Sequence, residues 1–232
     1  MVIWPYENMY NKMPASMIHV LENSSSLLNQ YIVELRDSET QRDSLRFRYN
    51  MERIGAIFAY EISKKLSWKK KEVITTLGVA SCEVLEEQPV IATILRAGLP
   101  MHQGLLHAFD RADNAFISAY RKHRKDGRFD IQVEYVSSPP LTDRVLIIGD
   151  PMLATGASMV LGFKELIRKG RPAHTHIVSI LASKQGLEYI KRNMPVEDYT
   201  LWLGAVDDEL TAKAYIVPGL GDAGDLAFGS KL

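Results

Sequence analysis

The sequence has few of the features that mark secreted, membrane-spanning and nucleic-acid-binding proteins. It has one cysteine, Cys82, so no internal disulfide framework can form and a reducing compartment is indicated. Lysine plus arginine and aspartate plus glutamate number 28 each, which favours neither nucleic acid nor an acidic membrane as a partner. No run of about 18 apolar residues occurs, and the first residues lack the pattern of a signal peptide. We expect a soluble cytoplasmic protein with Cys82 in a structural position.

The pattern of apolar residues predicts one α/β domain over residues 1–232. Hydrophobic residues make up 46% of the sequence, enough for a sizeable core. From Pro89 onward, short β-branched runs alternate with helical patterns, which predicts a mainly parallel, twisted sheet flanked by helices. Before it we expect an extended arm over residues 1–16, a helical extension, and a solvated turn at Lys69–Lys71. The predicted strands are 73–77, 90–95, 115–120, 145–148, 174–181, 201–206 and 215–218, and the predicted helices end near 36, 66, 109, 169 and 193.

One stretch combines a buried strand with an anion-binding loop. The apolar run Val145–Ile148 ends at Asp150, a loop of small residues from Ala154 to Ser158 follows, and a helical pattern begins near Met159. Free backbone N–H groups and the positive end of the helix dipole would face a bound anion. An acid beside such a loop suggests that the ligand also carries hydroxyls or a metal.

Three further segments carry unusual residues. Arg96-Ala-Gly98 follows a predicted strand, and its arginine could present a fork to diphosphate oxygens. A basic segment begins at Arg121, and three glycines occur within six residues of the tail, Gly219 to Gly224. Ligands of parallel α/β sheets bind at the carboxyl ends of strands. We therefore expect these loops and the Asp150 loop to converge at one edge of the sheet.

Together, these segments resemble the signatures of type I phosphoribosyltransferases, and of their uracil phosphoribosyltransferase branch in particular. The stretch Asp150-Pro-Met-Leu-Ala-Thr-Gly156 is similar to their signature for phosphoribosyl diphosphate (PRPP). Arg96-Ala-Gly98 resembles their diphosphate loop, about 121–142 their mobile hood, and 215–230 their uracil-binding tail with its Phe-Gly-Ser ending. The resemblance covers roughly residues 20–232. It departs from the family pattern at Ala157, where glycine is usual, at Pro100 and at Gln103.

The resemblance implies transfer of the 5-phosphoribosyl group from PRPP to uracil, giving UMP and diphosphate. It implies catalytic roles for Asp150, Arg121 and Asp222. The implied PRPP-binding residues are Arg96, Arg121, Asp150, Pro151, Met152, Leu153, Ala154, Thr155, Gly156, Ala157, Ser158 and Asp222. The implied uracil-binding residues are Ile216, Gly221, Asp222 and Ala223. No residue is assigned as the acceptor of the uracil N1 proton.

The resemblance also implies the other components of the reaction. Mg²⁺ would be held mainly through PRPP, with no protein side chain assigned as a metal ligand. The chain would be a homo-oligomer, a dimer or a tetramer, with GTP as a possible effector and neither nucleic acid nor membrane as a partner. Two alternatives stay open: a PRPP-dependent transferase for another nucleobase, and a PRPP-binding regulator without catalysis.

Overall fold

The computed structural model describes residues 18–123 and 129–230, with the backbone alone for residues 120–123 and 129–131. The extended arm expected over residues 1–16 therefore lies outside the described residues. The strands are β1 Ile18–Val20, β2 Trp68–Ile74, β3 Val79–Leu85, β4 Val90–Leu95, β5 Asp113–His123, β6 Phe129–Ser137, β7 Val145–Gly149, β8 Met152–Leu153, β9 His174–Ser183, β10 Tyr199–Asp207, β11 Glu209–Leu210 and β12 Ile216–Val217. The α-helices are α1 Leu27–Arg36, α2 Ser44–Ser63, α3 Leu99–Ala108, α4 Ala157–Leu166, α5 Lys184–Asn193 and α6 Ala223–Phe228.

The central sheet has eight strands, and its strand order is β1-β10-β9-β7-β4-β5-β6, with β8 paired to β9. Every pair along this path is parallel except β5 with β6, which are antiparallel. The mainly parallel α/β fold predicted from the alternating pattern is confirmed.

Helices cover both faces of this sheet and form two buried apolar clusters. One cluster joins α1, α2 and α3 to sheet residues such as Ile91, Ile147 and Val178. The other joins α4 and α5 to residues such as Ile148 and Ile177 on the opposite face. Burial on both sides explains why β4 and β7 are almost continuous apolar runs instead of alternating ones.

Local capping residues set the bounds of the N-terminal helices. Ser26 and Asn29 form a capping box at the start of α1: the Ser26 hydroxyl accepts from Leu28 N (3.3 Å) and Asn29 Oδ1 accepts from Ser26 N (2.9 Å). The helix predicted from about Gln41 begins at Ser44 instead. Asp43 is its N-cap, and its carboxylate accepts from the backbone N–H groups of Leu45 and Arg46.

Two exposed segments, around Lys69–Lys71 and after Tyr120, form strands that the sequence pattern did not indicate. Lys69–Lys71 is solvated but lies in β2, which forms an antiparallel hairpin with β3, and not in a turn. Cys82 lies exposed on β3 and forms no disulfide. The polar segment after Tyr120 contains β6, which pairs with β5 across a β-bulge between Ser118 and Ala119. Along the described ranges, no helix is long and apolar enough to cross a membrane.

Candidate active site

The loops that follow β4, β7 and β10 lie at the same edge of the sheet, because parallel strands share the direction of their carboxyl ends. The loop after β4 carries Arg96, the loop after β7 begins at Asp150, and the segment after β10 leads through β11 and β12 to the glycine-rich tail. The convergence expected from the sequence is therefore present for these three segments.

The loop after β7 forms a cleft and leads directly into a helix. Gly156 is the N-cap of α4 and adopts a left-handed conformation, with φ of 75°. The backbone N–H groups at the start of α4 therefore lie beside the cleft, as an anion site requires. The cleft is lined by Asp150, Met152, Leu153, Ala154, Thr155, Gly156, Ser158 and Met159. Of the other residues expected to bind PRPP here, Pro151 is buried and Ala157 is the first residue of α4.

Serine hydroxyls of β9 hold this loop in place. Ser179 Oγ accepts from Leu153 N (3.1 Å) and donates to Leu181 O (3.0 Å). Ser183, the N-cap of α5, donates to Ala154 O (2.5 Å) and accepts from Gly186 N (2.8 Å). Since the loop carbonyls point toward β9 and α5, the opposite side of the loop faces the cleft.

Asp150 stands where the sequence predicts it, half-buried at the end of β7. Its backbone N–H donates to Val178 O (3.1 Å), and its Oδ1 accepts from Met152 N (3.2 Å). The main chain of its own loop therefore holds the carboxylate in place. The same carboxylate lines the cleft, so it could bind hydroxyls of a ligand there.

Arg96 faces the C-terminal tail. Its Nη2 donates to Asp225 Oδ1 and to the carbonyl of Gly229, both at 3.2 Å, and the Leu95–Arg96 peptide is cis. Gly98 has φ of −72°, a conformation that needs no glycine. Close packing explains this glycine instead, since a Cβ would lie 2.7 Å from the carbonyl oxygen of Ile94.

The glycine-rich tail contains a short helix that sequence patterns did not predict. Asp222 is the N-cap of α6, and its Oδ1 accepts from Asp225 N (3.0 Å). Gly221 precedes it with φ of 93° and is exposed, whereas Ile216 and Ala223 are buried. The expected uracil-binding residues therefore divide into an exposed turn, Gly221–Asp222, and side chains that anchor it to the core. Because Asp222 already caps a helix, its carboxylate has a structural as well as a proposed binding role.

The segment that resembles the hood, about residues 121–142, is described only in part. Arg121 lies on β5 opposite Ile131 of β6, while its side chain and residues 124–128 lie outside the described part of the chain. Its contact with diphosphate stays a prediction.

The departures at Ala157, Pro100 and Gln103 fit the fold. Ala157 has no positive φ, because Gly156 supplies the left-handed residue, and so it carries no backbone strain. Pro100 lies in the first turn of α3, where a missing N–H costs little. The exposed side chain of Gln103 lies 3.2 Å from the ring of His107 on the same helix.

Sequence reasoning missed a buried acid beside the tail. Asp207 ends β10 as Asp150 follows β7, and it is paired with Arg36 of α1. The signal was available, since both are acids where a buried parallel strand stops. Nothing in the sequence, however, connected Asp207 with a residue 171 positions earlier.

The chain is similar to known proteins of one family along most of its length. A family model described as uracil phosphoribosyltransferase matches residues 22–230. A uracil phosphoribosyltransferase of Porphyromonas gingivalis is 55% identical over 207 residues, covering 89% of this chain and 95% of that protein. One of Pyrococcus furiosus is 35% identical, covering 91% and 90%. A solved structure of a protein from Aquifex aeolicus has a TM-score of 0.81 at 28% identity, covering 93% of this chain and all of that one.

Proposed function

This chain belongs to the uracil phosphoribosyltransferase family, and from this we infer that it transfers the 5-phosphoribosyl group from PRPP to uracil, giving UMP and diphosphate. The observation that carries the inference is the meeting of three loops at one sheet edge. An anion-binding loop at Asp150–Ser158, a diphosphate loop at Arg96 and a glycine-rich tail lie side by side. This arrangement suits a ribose that carries a 5′-phosphate and a diphosphate, bound beside a separate flat base.

The proposed roles of the residues follow from where charge develops. Breaking the bond between C1′ and diphosphate leaves positive charge on the ribose and negative charge on the leaving group, so the protein contributes positioning and electrostatic stabilisation. Thr155 to Ser158 and the N-terminus of α4 would bind the 5′-phosphate. Asp150 would hold the ribose hydroxyls near the growing positive charge. Arg96 and Arg121 would stabilise the departing diphosphate.

Uracil would lie against the tail. The exposed turn at Gly221–Asp222, backed by buried Ile216 and Ala223, offers main-chain groups more than side chains to a bound base. Main-chain donors and acceptors can read the two carbonyls and the N3–H of uracil. Asp222 would orient the PRPP side of the site next to the base.

Mg²⁺ would be held mainly through PRPP. Within the described residues, no group of three or more His, Cys, Asp or Glu side chains comes together to hold a metal ion. Mg²⁺ commonly binds through one or two carboxylates together with substrate phosphates, and Asp150 in the cleft fits that use. Bound there, the ion would supply positive charge to the diphosphate as it leaves.

We also propose that the chain forms a homo-oligomer, a dimer or a tetramer, in the cytoplasm. The hairpin of β2 and β3 supports this, because it carries the exposed apolar side chains Ile74, Leu77 and Val79. Sedimentation of the purified protein, compared with a Leu77→Lys variant, tests this assignment. GTP as an effector is proposed on family resemblance alone and is tested by adding GTP to the turnover assay.

The deciding experiment is a turnover assay with PRPP, Mg²⁺ and each nucleobase in turn. Formation of UMP from uracil, with no product from cytosine or purines, is the expected result. Turnover with a purine would favour a transferase for another base. PRPP binding without turnover of any base would favour a regulator.

A further inference from the structure

Arg36 and Asp207 form a two-armed ion pair beneath the glycine-rich tail. Arg36 Nη1 and Nη2 donate to Asp207 Oδ2 and Oδ1, each at 2.7 Å. The Asp207 side chain is 7% exposed and that of Arg36 is 23% exposed. The pair joins the last residue of α1 to the last residue of β10, so it connects the helical layer to the carboxyl edge of the sheet.

The same pair holds both backbone polar groups of Gly219. Gly219 N donates to Asp207 Oδ2 (2.9 Å), and the Gly219 carbonyl accepts from Arg36 Nη1 (3.0 Å). Gly219 has φ of 59°, a left-handed conformation that most residues avoid. The planar guanidinium of arginine can bond to the carboxylate and to the Gly219 carbonyl at the same time. The ammonium group of a lysine lacks this fixed geometry.

A second contact continues the same anchoring by one residue. Once the oxygen and nitrogen of the Gln41 amide are exchanged to match their partners, the nitrogen donates to Leu220 O (2.8 Å) and to Leu35 O (3.2 Å). Leu220 is itself buried in the cluster beneath the tail. The two residues before Gly221 are therefore fixed on the side facing α1, which sets the direction in which Gly221 and Asp222 leave the core.

We propose that the Arg36–Asp207 pair is a specificity-determining positioning device, which holds the turn at Gly221–Asp222 where its main chain can read the pyrimidine. This rests on the proposed function, since it assigns that turn to uracil. The pair would not touch the substrate. Its effect is to restrict the turn, so that donors and acceptors aimed at uracil cannot shift to accommodate cytosine.

The proposal predicts different effects on the binding of the two substrates. PRPP would be held chiefly by the loop after β7, which has its own supports in Ser179 and Ser183. Loosening Gly219 should therefore weaken the binding of uracil far more than that of PRPP, which would meet this turn only through Asp222. A pair that merely stabilised the fold would change both KM values, or neither.

The test uses Arg36→Lys, which keeps the charge but loses the fork. We expect KM for uracil to rise about tenfold or more and KM for PRPP to stay within about twofold. The ratio of kcat/KM for uracil over cytosine should fall about tenfold. Arg46→Lys is the matched control, because Arg46 makes a two-armed ion pair with Glu34 between α1 and α2, each arm 2.8 Å long, away from the tail.

Each outcome decides the proposal. A rise in the uracil KM confined to Arg36→Lys supports it; an unchanged uracil KM, or an equal change for PRPP, overturns it. If Arg36→Lys does not fold, Gln41→Met, which removes the donor to Leu220 O, carries the same comparison with an expected rise of about threefold. A wild-type protein with no uracil turnover would overturn the proposed function, whereas an active wild type with unaffected variants would overturn only this inference.

Discussion

Nη2 of Arg96 donates a hydrogen bond of 3.2 Å to Oδ1 of Asp225, a residue 129 positions further along the chain. Arg96 also donates to the carbonyl of Gly229, so one guanidinium ties the loop after β4 to the C-terminal tail. The proposed diphosphate loop and the proposed base-binding segment are therefore mechanically linked. Disturbing Arg96 should affect both substrates, unlike disturbing Arg36.

Arg96→Lys should lower kcat/KM for PRPP by about 1.5–3 kcal/mol, the range for hydrogen bonds to charged groups, or roughly 10- to 150-fold. A lysine keeps the charge but loses the fork that bridges the tail and a diphosphate. Arg144→Lys is the control: Arg144 pairs with Asp113 (2.6 Å) at the amino edge of the sheet. Steady-state kinetics that found equal losses in both variants would contradict a specific role for Arg96.

Asp150→Asn should lower kcat by about 10²-fold or more, as when one electrostatic stabiliser is removed. The fold should survive, because an asparagine Oδ1 can still accept the hydrogen bond from Met152 N. Thermal unfolding and single-turnover rates measured on the same sample check both parts. Near-normal turnover in a folded variant would remove Asp150 from the mechanism.

Gly156→Ala should weaken PRPP binding and lower the melting temperature. Its φ of 75° is unfavourable for alanine, and a Cβ there would lie 2.8 Å from the carbonyl oxygen of Gly186. Ala157→Gly, one residue later, changes a helical position and should cost only about 1 kcal/mol of stability with activity retained. A Gly156→Ala protein with wild-type KM for PRPP would show that the left-handed N-cap does not shape the site.

Gly221→Val should abolish uracil binding, whereas Ile216→Val should barely change the preference for uracil. Gly221 has φ of 93°, which valine tolerates poorly, while Ile216 is buried and loses one methylene to valine. Cytosine would leave buried main-chain groups unpaired at about 1–3 kcal/mol each. We expect 5-fluorouracil to be accepted and cytosine refused in a competition assay; turnover of cytosine would rule out main-chain reading of the base.

Stability should fall as the pH drops below 6.5, in part because of His176. Burial, with smaller contributions from the neighbouring His174 and His19, lowers the pKa of His176 to about 3, and Trp202 Nε1 donates to its Nδ1 (3.1 Å). Between pH 6.5 and about 3 the unfolded chain binds a proton that the folded chain excludes, so folding loses up to about 1.4 kcal/mol per pH unit.

The variant His176→Asn tests this, because its amide oxygen can still accept from Trp202. Urea midpoints at pH 7 and pH 4.5 should differ less in the variant than in the wild type. Equal differences in the two proteins would assign the acid sensitivity to other groups.

The sequence by itself determined the elements whose cause is local. The β-branched run of β7, the acid that follows it and Gly156 before α4 are all explained by neighbours within a few residues. The same holds for α1, which begins at a capping box formed by Ser26 and Asn29. Parallel strands joined by helices then place the loop ends at one edge, which is why the position of the Asp150 loop in the fold follows from the sequence.

The exposed hairpin and the short helix α6 form because of contacts that the local sequence pattern does not show. β2 and β3 are largely exposed, so no alternation of apolar and polar residues sets their bounds. The strand predicted at 73–77 lies at Trp68–Ile74, and backbone pairing alone makes Lys69–Lys71 part of it. The helix α6 has six residues, three of them small and buried, and its stability comes from packing and from the Asp222 cap.

Only the tertiary structure decided how the tail is held. Arg36 and Asp207 lie 171 positions apart, and Arg36 and Gly219 lie 183 apart. A buried face of a helix or strand produces a periodic pattern of apolar residues. A hydrogen bond or an ion pair between distant polar groups produces no such pattern, because it involves only two positions. The sequence alone could identify a glycine-rich tail suited to a flat base, but the side chains that fix its direction became visible only when α1, β10 and the tail came together.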